Sequence, residues 1–402
     1  MMQRQKQQQR PESILVMQGG GSLGAYECGV YKTLARHNIW FDVIAGASIG
    51  SVNATIVAAS LRNQEMKNLY RHESLIESAN TLENFWLDSA DNLTPVFLPF
   101  KIRSYLSAVN TFTFGHPNAL IPIWFYPGGI LLHNAFTSPY LYDTTIFQKV
   151  LEKTINFESL RKQQNEITKN NDGDAHPNDN NSGGYTLPRL ILTCTDINKA
   201  ELVIFDSHNM DITAEHVRAC IAYPFYGLKW TKIDNRYLWD GSILSNTPLR
   251  AVVKSSLFRE KRVIVSDTFP HHQERKLPNN FAEAWHRARD ILFIDKSTHQ
   301  LETSNMLKEI FPVLEEMHDI LTNAKIQDEK LKKRYNEIEK DYKSIINKRG
   351  SIISELIQIR RNEDEKSEHF VLEDWDFSLA TIKELISQGE EDAERTLQEL
   401  KR

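Results

Sequence analysis

The residues best suited to covalent chemistry lie in a short motif around Ser48. The segment Gly46-Ala47-Ser48-Ile49-Gly50 matches the pattern G-x-S-x-G. In this pattern a sharp turn between a strand and a helix exposes the serine hydroxyl, and small neighbours leave room for a strained backbone. A helix that begins at the turn also favours negative charge that develops beside its first residues. Ser48 is therefore a candidate nucleophile for acyl transfer.

A glycine-rich turn precedes this motif, from Gly19 to Gly24, with the sequence GGGSLG. Glycines leave the backbone N–H groups open to an approaching carbonyl, so Gly20, Gly21 and Ser22 are candidates for an oxyanion hole. One donor of such a hole typically contributes about 3 to 4 kcal/mol of transition-state stabilisation. We expect these N–H groups to converge on the space above Ser48.

A serine nucleophile needs a base that accepts its proton. Asp240 is a candidate, because it follows the apolar run at 237–239 and precedes Gly241, so that a strand delivers it to a tight turn. An Asp-Gly pair is also a common turn sequence, which is the structural alternative. The chain has 13 histidines, none in an evident catalytic motif, and the pair His271-His272 lies on a predicted loop.

The glycine-rich turn also fits the dinucleotide-binding pattern G-x-G-x-x-G. A dinucleotide site requires an acidic residue near the end of the second strand. That strand ends in Ala45-Gly46, and Asp42 lies at its opposite end. No G-K-[ST] sequence follows the glycines, which excludes a Walker-type phosphate loop. A turn with a purely structural role remains an alternative.

Both motifs lie where a predicted strand meets a predicted helix. The apolar runs at 14–17 and 41–45 are typical of buried parallel strands, and segments with helical spacing follow at 24–37 and 51–61. Two such units form a right-handed parallel pair, whose strands point their carboxyl ends at one edge of the sheet. Further strands are predicted at 190–192, 202–205, 237–239 and 263–265.

Composition places the chain among ordinary globular proteins. Of its 402 residues, 41% are hydrophobic and 25% charged, with a net charge of -5, which excludes wholesale disorder and argues against a nucleic-acid binder. Cys28, Cys194 and Cys220 form no CxxC pair, so neither a disulfide framework nor a cysteine-based zinc site is predicted. Residues 1–10 lack the apolar run of an export signal. We therefore expect a cytoplasmic protein.

Residues 104–142 contain no Asp, Glu, Lys or Arg. Several prolines and the pair Gly128-Gly129 argue against a membrane-spanning helix, so we expect an irregular apolar cover. Its large apolar residues are candidates for an acyl channel or for peripheral contact with a membrane: Phe112, Phe114, Leu120, Ile121, Trp124, Phe125, Leu131 and Leu132. The alternative is that these side chains only pack on the sheet.

The last third of the chain is highly charged and predicted to be mainly helical. One apolar stripe with spacings of four and three consists of Leu331, Tyr335, Ile338, Tyr342 and Ile345. We expect this helix to pack on its own domain, because a coiled coil that binds a partner needs more clean heptads. Residues 161–184, rich in Asn, Asp and Gly, are expected to form a mobile surface loop.

Taken together, these motifs resemble those of the patatin-like phospholipases. That family has a glycine-rich oxyanion loop, a nucleophile elbow and a D-G-[GA] motif in this order, here at 19–24, 46–50 and 240–242. Ser242 stands where the family has Gly or Ala, and Leu23 stands where plant members often have Arg. Two smaller features are also similar to the family: Thr195-Asp196 and Asn246-Thr247-Pro248.

The resemblance implies a three-layer α/β/α sandwich with a mostly parallel sheet. It implies a dyad without histidine, in which Ser48 is the nucleophile and Asp240 the base, with no metal or cofactor. The implied reaction is hydrolysis of a lipid acyl ester, of phospholipase A type, through an acyl-serine intermediate. The implied organisation is a flexible tail at 1–11, a catalytic domain at 12–270 and a mainly helical C-terminal extension at 271–402.

Two other functions remain open from the sequence. A Ser-His-Asp esterase of the α/β-hydrolase type would use a histidine base, although its elbow usually comes well after the oxyanion loop. A non-catalytic regulatory protein on a patatin-like fold would use the helical C-terminal third for contacts. The class of ester and the oligomeric state are not encoded in these patterns.

Overall fold

The computed structural model describes most of the chain. The described ranges are 10–65, 71–91, 99–126, 138–161, 187–255, 260–269, 277–278, 280–293, 297–324, 328–346, 352–362 and 373–402. Most of the predicted tail at 1–11 and nearly all of the predicted loop at 161–184 lie outside these ranges, as do His271, His272, Leu131 and Leu132.

A mixed sheet of eight strands forms the centre of the described structure. With two further strands outside this sheet, the described strands are, in chain order, β1 (Glu12–Met17), β2 (Val43–Ala47), β3 (Ile121–Pro122), β4 (Tyr142–Asp143), β5 (Arg189–Asp196), β6 (Glu201–Asp206), β7 (Thr231–Ile233), β8 (Arg236–Asp240), β9 (Lys261–Asp267) and β10 (Ile353–Arg360). The order in the main sheet is β10-β9-β1-β2-β5-β8-β7, β6 also pairs with β5, and β3 and β4 form a separate antiparallel pair.

The helices alternate with the strands through the first part of the chain and dominate the last part. They are α1 (Gly24–Arg36), α2 (Ile49–Glu65), α3 (Arg71–Asp88), α4 (Phe100–Phe114), α5 (Thr145–Thr154), α6 (Ala214–Cys220), α7 (Leu249–Ser255), α8 (Phe281–Phe293), α9 (Ser297–Asn323), α10 (Glu329–Ile346) and α11 (Leu379–Glu399). Short 3₁₀ turns lie at Gly21–Leu23, Ile123–Phe125, Phe157–Leu160, Pro224–Tyr226, Gly241–Ile243 and Glu373–Trp375.

The central strands are parallel and buried on both faces, as predicted. β1 pairs with β2 in a register that sets Met17 beside Gly46, so both strands end at the same edge of the sheet. Leu15 of β1 packs into the core on one face, and Val16 packs into a second core on the other face. Helices cover both faces, which confirms the predicted three-layer α/β/α sandwich with a mostly parallel sheet.

The C-terminal part returns to the sheet and to the helical layer above it. Strand β10 pairs with β9 in parallel and forms one edge of the sheet. Helix α11 lies very close to α1, since a Cβ on Gly29 would stand 1.9 Å from the carbonyl oxygen of Ile386. A Cβ on Gly389 would likewise stand 2.1 Å from the carbonyl oxygen of Tyr26. Glycine at both positions therefore allows the two backbones to meet.

Two expectations about irregular and packed segments are wrong in part. The stretch 104–142 is not irregular at its start, because the first proline comes at position 117 and helix α4 continues to Phe114. The stripe on α10 does not pack fully on its own domain, because Leu331, Ile338 and Ile345 are 60%, 48% and 42% exposed. Only the tyrosine side of that stripe is covered, where Tyr342 stacks on His318 of α9.

Two further observations concern the helices and the cysteines. In the part of the chain that the structure describes, no helix is long and apolar enough to cross a bilayer. Cys28, Cys194 and Cys220 are all buried and none is in a disulfide.

Candidate active site

Ser48 lies on a sharp turn between β2 and α2. Its φ of 50° is in the left-handed region, which is uncommon for a residue other than glycine and marks a strained backbone. The glycines on either side are required by close approaches of the backbone. A Cβ on Gly46 would stand 2.2 Å from the carbonyl oxygen of Gly50, and a Cβ on Gly50 would stand 2.5 Å from that of Met17. The elbow predicted from the G-x-S-x-G pattern is thus present in the backbone.

The glycine-rich turn lies directly beside this elbow. Gly19, Gly20 and Gly21 line the same cavity as Ser48. Among the described residues, neither the Gly20 nor the Gly21 N–H donates a hydrogen bond, and both glycines are partly exposed. Ser22, the third predicted donor, is fully buried and does not line the cavity.

Asp240 ends strand β8 and is fully buried behind Ser48. Its Oδ1 accepts hydrogen bonds from the N–H and the hydroxyl of Ser242, both at 2.8 Å. Burial raises the pKa of Asp240 to about 6, and contacts with the Ser48 hydroxyl and with Ser242 lower it in part. Ser242 stands where the family has Gly or Ala, and its hydroxyl is therefore one of the donors that hold the Asp240 carboxylate.

The contact between Ser48 and Asp240 is close but falls short of a well-formed hydrogen bond. The Ser48 hydroxyl lies close enough to lower the pKa of the Asp240 carboxyl. Nevertheless, Oδ2 of Asp240 has no hydrogen-bond partner in regular geometry among the described residues. Catalytic hydrogen bonds are often long or poorly aligned in a site without substrate. The structure thus brings together the serine and the carboxylate that the sequence pairs across the sheet.

A network of side chains that the sequence did not single out as functional fixes the glycine-rich turn. The Gly19 N–H donates to Oδ1 of Asn246 at 3.0 Å, and Nδ2 of Asn246 donates to the Gly19 carbonyl at 3.4 Å. Gln18 donates to the Thr247 hydroxyl at 2.8 Å and accepts from the N–H of Thr268 at 3.1 Å. Asn246 and Thr247 belong to the similar family feature noted above, which was the available sequence signal.

The other small family feature supports Asp240 from the neighbouring strand. The hydroxyl of Thr195 donates to the Asp240 carbonyl at 2.9 Å. Gly241 is packed against β5, since a Cβ there would stand 2.4 Å from the carbonyl oxygen of Thr193. Both contacts come from β5 and fix the backbone at Asp240, and with it the direction of its side chain.

The cavity in front of Ser48 has a volume of about 120 Å³ and is mostly apolar. Its walls include Phe85, Trp86, Leu120, Phe147, Leu228 and Phe293. Gly24 of the glycine-rich turn packs against Trp86, because a Cβ there would stand 2.6 Å from the indole ring. Among the described residues that line the cavity there is no Lys or Arg. Such a cavity suits an aliphatic chain better than an anionic group.

Among the described residues that line the cavity there is one histidine, His116, which belongs to no evident sequence motif. Its Nδ1 accepts the N–H of Asn118 at 3.3 Å, so Nε2 carries the proton and donates to the carbonyl of Ser89 at 3.0 Å. Burial lowers the pKa of His116. Both ring nitrogens are thus engaged with the backbone rather than with Ser48. In the described part of the chain, no cluster of His, Cys, Asp or Glu side chains is arranged to hold a metal ion.

Comparison with known proteins agrees with this fold. The sequence profile of the patatin-like phospholipases matches residues 15–253, which is more than half of the chain. The chain therefore belongs to the patatin-like phospholipase family. The match covers the glycine-rich turn, the elbow, Asp240 and Asn246, and it ends before α8.

Two individual proteins are similar over different extents. The chain is 49% identical over 45 residues to the triacylglycerol lipase SDP1L of Arabidopsis thaliana, which is 11% of this chain and only 6% of the length of that relative. The crystal structure of VipD from Legionella pneumophila aligns with this chain at 13% identity and a TM-score of 0.37. The alignment covers 97% of this chain and 67% of the VipD chain.

Proposed function

We propose that the protein is a lipid acyl hydrolase of phospholipase A type, in which Ser48 is the nucleophile and Asp240 the base. One observation carries the proposal. Ser48, strained at the head of α2, lines an apolar cavity together with Gly20 and Gly21, and the buried Asp240 carboxyl lies against its hydroxyl. Nucleophile, base and oxyanion donors thus meet at one point.

In the proposed reaction, Ser48 Oγ attacks the ester carbonyl carbon while its proton passes to Asp240. The N–H groups of Gly20 and Gly21 stabilise the oxyanion that forms. Collapse of the tetrahedral intermediate breaks the ester bond, and the leaving alcohol or lysolipid takes the proton from Asp240. Water then attacks the acyl-serine and gives its proton to Asp240. Asp240 returns that proton to Ser48 Oγ as the bond to the acyl carbon breaks, which releases the fatty acid and regenerates Ser48.

The cavity supports a fatty acyl ester as the substrate. Its aromatic and aliphatic walls match an acyl chain, and the absence of Lys and Arg among the described lining residues favours a head group that stays outside. The short but strong similarity to a protein named as a triacylglycerol lipase agrees with an ester of this kind. A panel of lipids that share one acyl chain and differ in head group would define the preference.

The exposed surface next to the cavity supports peripheral contact with a membrane through 104–142. Helix α4 exposes five large apolar side chains: Ile102, Tyr105, Leu106, Phe112 and Phe114. The Phe114 ring stacks on the half-exposed Phe125, with centroids 6.5 Å apart. Leu120, which follows α4, lines the cavity itself. Exposed apolar surface that continues into a lipid-binding cavity is typical of a site that takes its substrate from a bilayer.

We also propose that the family domain extends to about residue 270 and that residues 271–402 form an extension that folds back onto it. The contacts of β10 with β9 and of α11 with α1 support the folding back. In the described residues the extension has no separate sheet, and its strand β10 joins the sheet of the family domain. The extension therefore packs onto the family domain instead of standing apart from it.

Hydrolysis of p-nitrophenyl butyrate by purified variants tests the proposed dyad. We expect Ser48→Ala and Asp240→Asn each to reduce kcat by at least about a thousandfold, since a nucleophile or its base is lost. Ser89→Ala is the matched control, because Ser89 is a second serine that lines the cavity. His116→Gln tests the histidine alternative. Full activity of either dyad variant, or loss of activity only in His116→Gln, would overturn the proposal.

A further inference from the structure

A segment outside the family match forms part of the cavity wall. Asp374, Trp375 and Phe377 line the cavity with Ser48, although the family profile ends at residue 253. Asp374 and Trp375 belong to a short 3₁₀ turn, Glu373–Trp375, that precedes α11. The C-terminal extension therefore reaches the candidate active site.

This segment lies directly on the glycine-rich turn. A Cβ on Gly21 would stand 2.3 Å from the carbonyl oxygen of Asp374, so the two backbones are in contact. Gly21 also has a φ of 60°, which a residue with a side chain rarely adopts. The position of the Glu373–Trp375 turn is thus coupled to the loop that presents the Gly20 and Gly21 N–H groups.

A buried ion pair holds the segment in place. The Asp374 side chain is 3% exposed and lies 2.6 Å from Nη1 of Arg289, which is 6% exposed. The hydroxyl of Tyr226 donates a hydrogen bond to the other carboxylate oxygen of Asp374. Arg289 belongs to α8 in the extension, whereas Tyr226 belongs to the family domain. Asp374 therefore joins the extension to the wall that the family domain supplies.

Trp375 stands among aromatic rings of the family domain. Its ring centroid lies 5.0 Å from that of Tyr226, 5.5 Å from that of Phe112 and 5.8 Å from that of Tyr142. The side chain is almost entirely buried, yet it contributes to the cavity surface. A large, rigid ring fixed on several sides gives a wall that does not yield to a longer ligand.

Phe377 also contributes to this wall. Its ring lies 5.2 Å from that of His116, which also lines the cavity. Its carbonyl accepts the N–H of Asp91 at 2.6 Å, and the N–H of Leu379 donates to the Asp91 carbonyl at 3.1 Å. The segment is therefore tied to the end of α3 as well as to Arg289 and Tyr226.

We propose that Trp375 and Phe377 are specificity-determining residues that limit the length of the acyl chain bound in the cavity. This inference rests on the proposed function, since it assigns the acyl subsite of that reaction to the C-terminal extension. The ligand is the unbranched hydrocarbon chain of the ester, which packs against the indole and phenyl rings. Asp374 acts on this subsite as a positioning residue, because it holds the turn that carries Trp375.

The test compares kcat/KM for p-nitrophenyl decanoate and p-nitrophenyl butyrate in the full-length protein. We expect Trp375→Ala to raise the decanoate-to-butyrate ratio by about tenfold, because removal of the indole opens the wall to a longer chain. Trp375→Phe and Phe377→Leu keep apolar packing, and we expect smaller shifts of the ratio in the same direction. Trp230→Ala is the matched control, since Trp230 does not line the cavity and packs on Tyr140 and Tyr237.

The ratio separates a role in selectivity from a role in folding. A merely structural contribution of Trp375 would lower both rates and leave the ratio unchanged. An unchanged ratio in every folded variant would overturn this inference while leaving the proposed function intact. Failure of the proposed function would be evident separately, because the wild-type protein would then hydrolyse neither ester above the level of Ser48→Ala.

Discussion

Gly19 packs against the side chain of Ser48. A Cβ on Gly19 would stand 2.6 Å from the Ser48 Cβ and 2.6 Å from Oδ1 of Asn246, both too close for any real contact. The glycine-rich turn and the elbow therefore meet without space between them. This contact fixes the position of the proposed oxyanion donors relative to Ser48, so the absence of a side chain at 19 is a condition for the proposed site.

The first prediction compares alanine at two neighbouring glycines. Gly19→Ala must push Ser48 or Asn246 aside, so we expect a loss of about 1–3 kcal/mol in the free energy of unfolding and esterase activity below about 1%. Gly20 is the matched position, because a Cβ there would come no closer than 3.1 Å to its nearest neighbour, the Cβ of Leu23. We expect Gly20→Ala to keep the fold and activity within about tenfold of the wild type. If Gly19→Ala and Gly20→Ala had equal effects on urea unfolding and on ester hydrolysis, the role given to Gly19 would be contradicted.

The second prediction concerns backbone strain at the elbow. The φ of 50° at Ser48 disfavours alanine but not glycine. We therefore expect Ser48→Gly to be more stable than Ser48→Ala by roughly 0.5–1 kcal/mol in urea unfolding, although both variants are inactive.

The same pair of substitutions at Ser89 serves as the control for the elbow. Ser89 lines the same cavity but is not among the described residues with positive φ. Glycine should there give no gain over alanine. If Ser48→Gly were no more stable than Ser48→Ala, the elbow would not be strained in solution.

The third prediction follows from the raised pKa of Asp240, which is about 6. A base must be deprotonated to accept the Ser48 proton, so activity is lost as the carboxyl gains a proton. We expect kcat/KM to be level above pH 7 and to fall about tenfold per unit below pH 6. The profile is measured with an ester that does not itself ionise in this range.

The pH profile of His116→Gln separates the two candidate bases. Removal of the imidazole should leave the fall below pH 6 in place, because the ring nitrogens of His116 are engaged with Asn118 and Ser89. A profile that loses its acid limb in His116→Gln would assign the titration to histidine and speak against Asp240.

The fourth prediction tests the exposed aromatic pair beside the cavity. We expect Phe114→Asp with Phe125→Asp to reduce sedimentation with phosphatidylcholine vesicles by at least about fivefold, because two charges replace rings that would enter the lipid interface. Tyr237→Asp is the control, since Tyr237 is exposed on β8 and does not line the cavity. Hydrolysis of soluble p-nitrophenyl butyrate should persist in the double variant. Undiminished vesicle binding would remove the membrane role of this surface.

The sequence was informative where the chemistry is local. The elbow and the glycine-rich turn depend on residues a few positions apart, and the apolar runs before them indicate parallel strands that end at one edge. These patterns are enough to predict Ser48 and the N–H groups of Gly20 and Gly21 as site residues. Asp240 was identified through a strand followed by an Asp-Gly turn, and its pairing with Ser48 came from the family resemblance.

The rest of the site depends on tertiary packing that no local pattern encodes. Asp374 meets Gly21 only because α11 docks on α1 and carries the preceding turn back to the sheet edge. His116 lies between a helix and a two-residue strand, with no periodic pattern around it. The partly exposed stripe of α10 failed as a prediction for the same reason, because helical spacing defines a face but not what covers it.

Labelling with a fluorophosphonate probe tests the central claim most directly. The hydroxyl oxygen of an activated serine attacks the phosphorus, fluoride leaves, and a stable covalent adduct remains. We expect the folded wild-type protein to gain one adduct, located by peptide mass mapping at Ser48, with no adduct in Ser48→Ala and much slower labelling in Asp240→Asn. An unlabelled wild-type protein, or an adduct on a serine other than Ser48, would contradict the account.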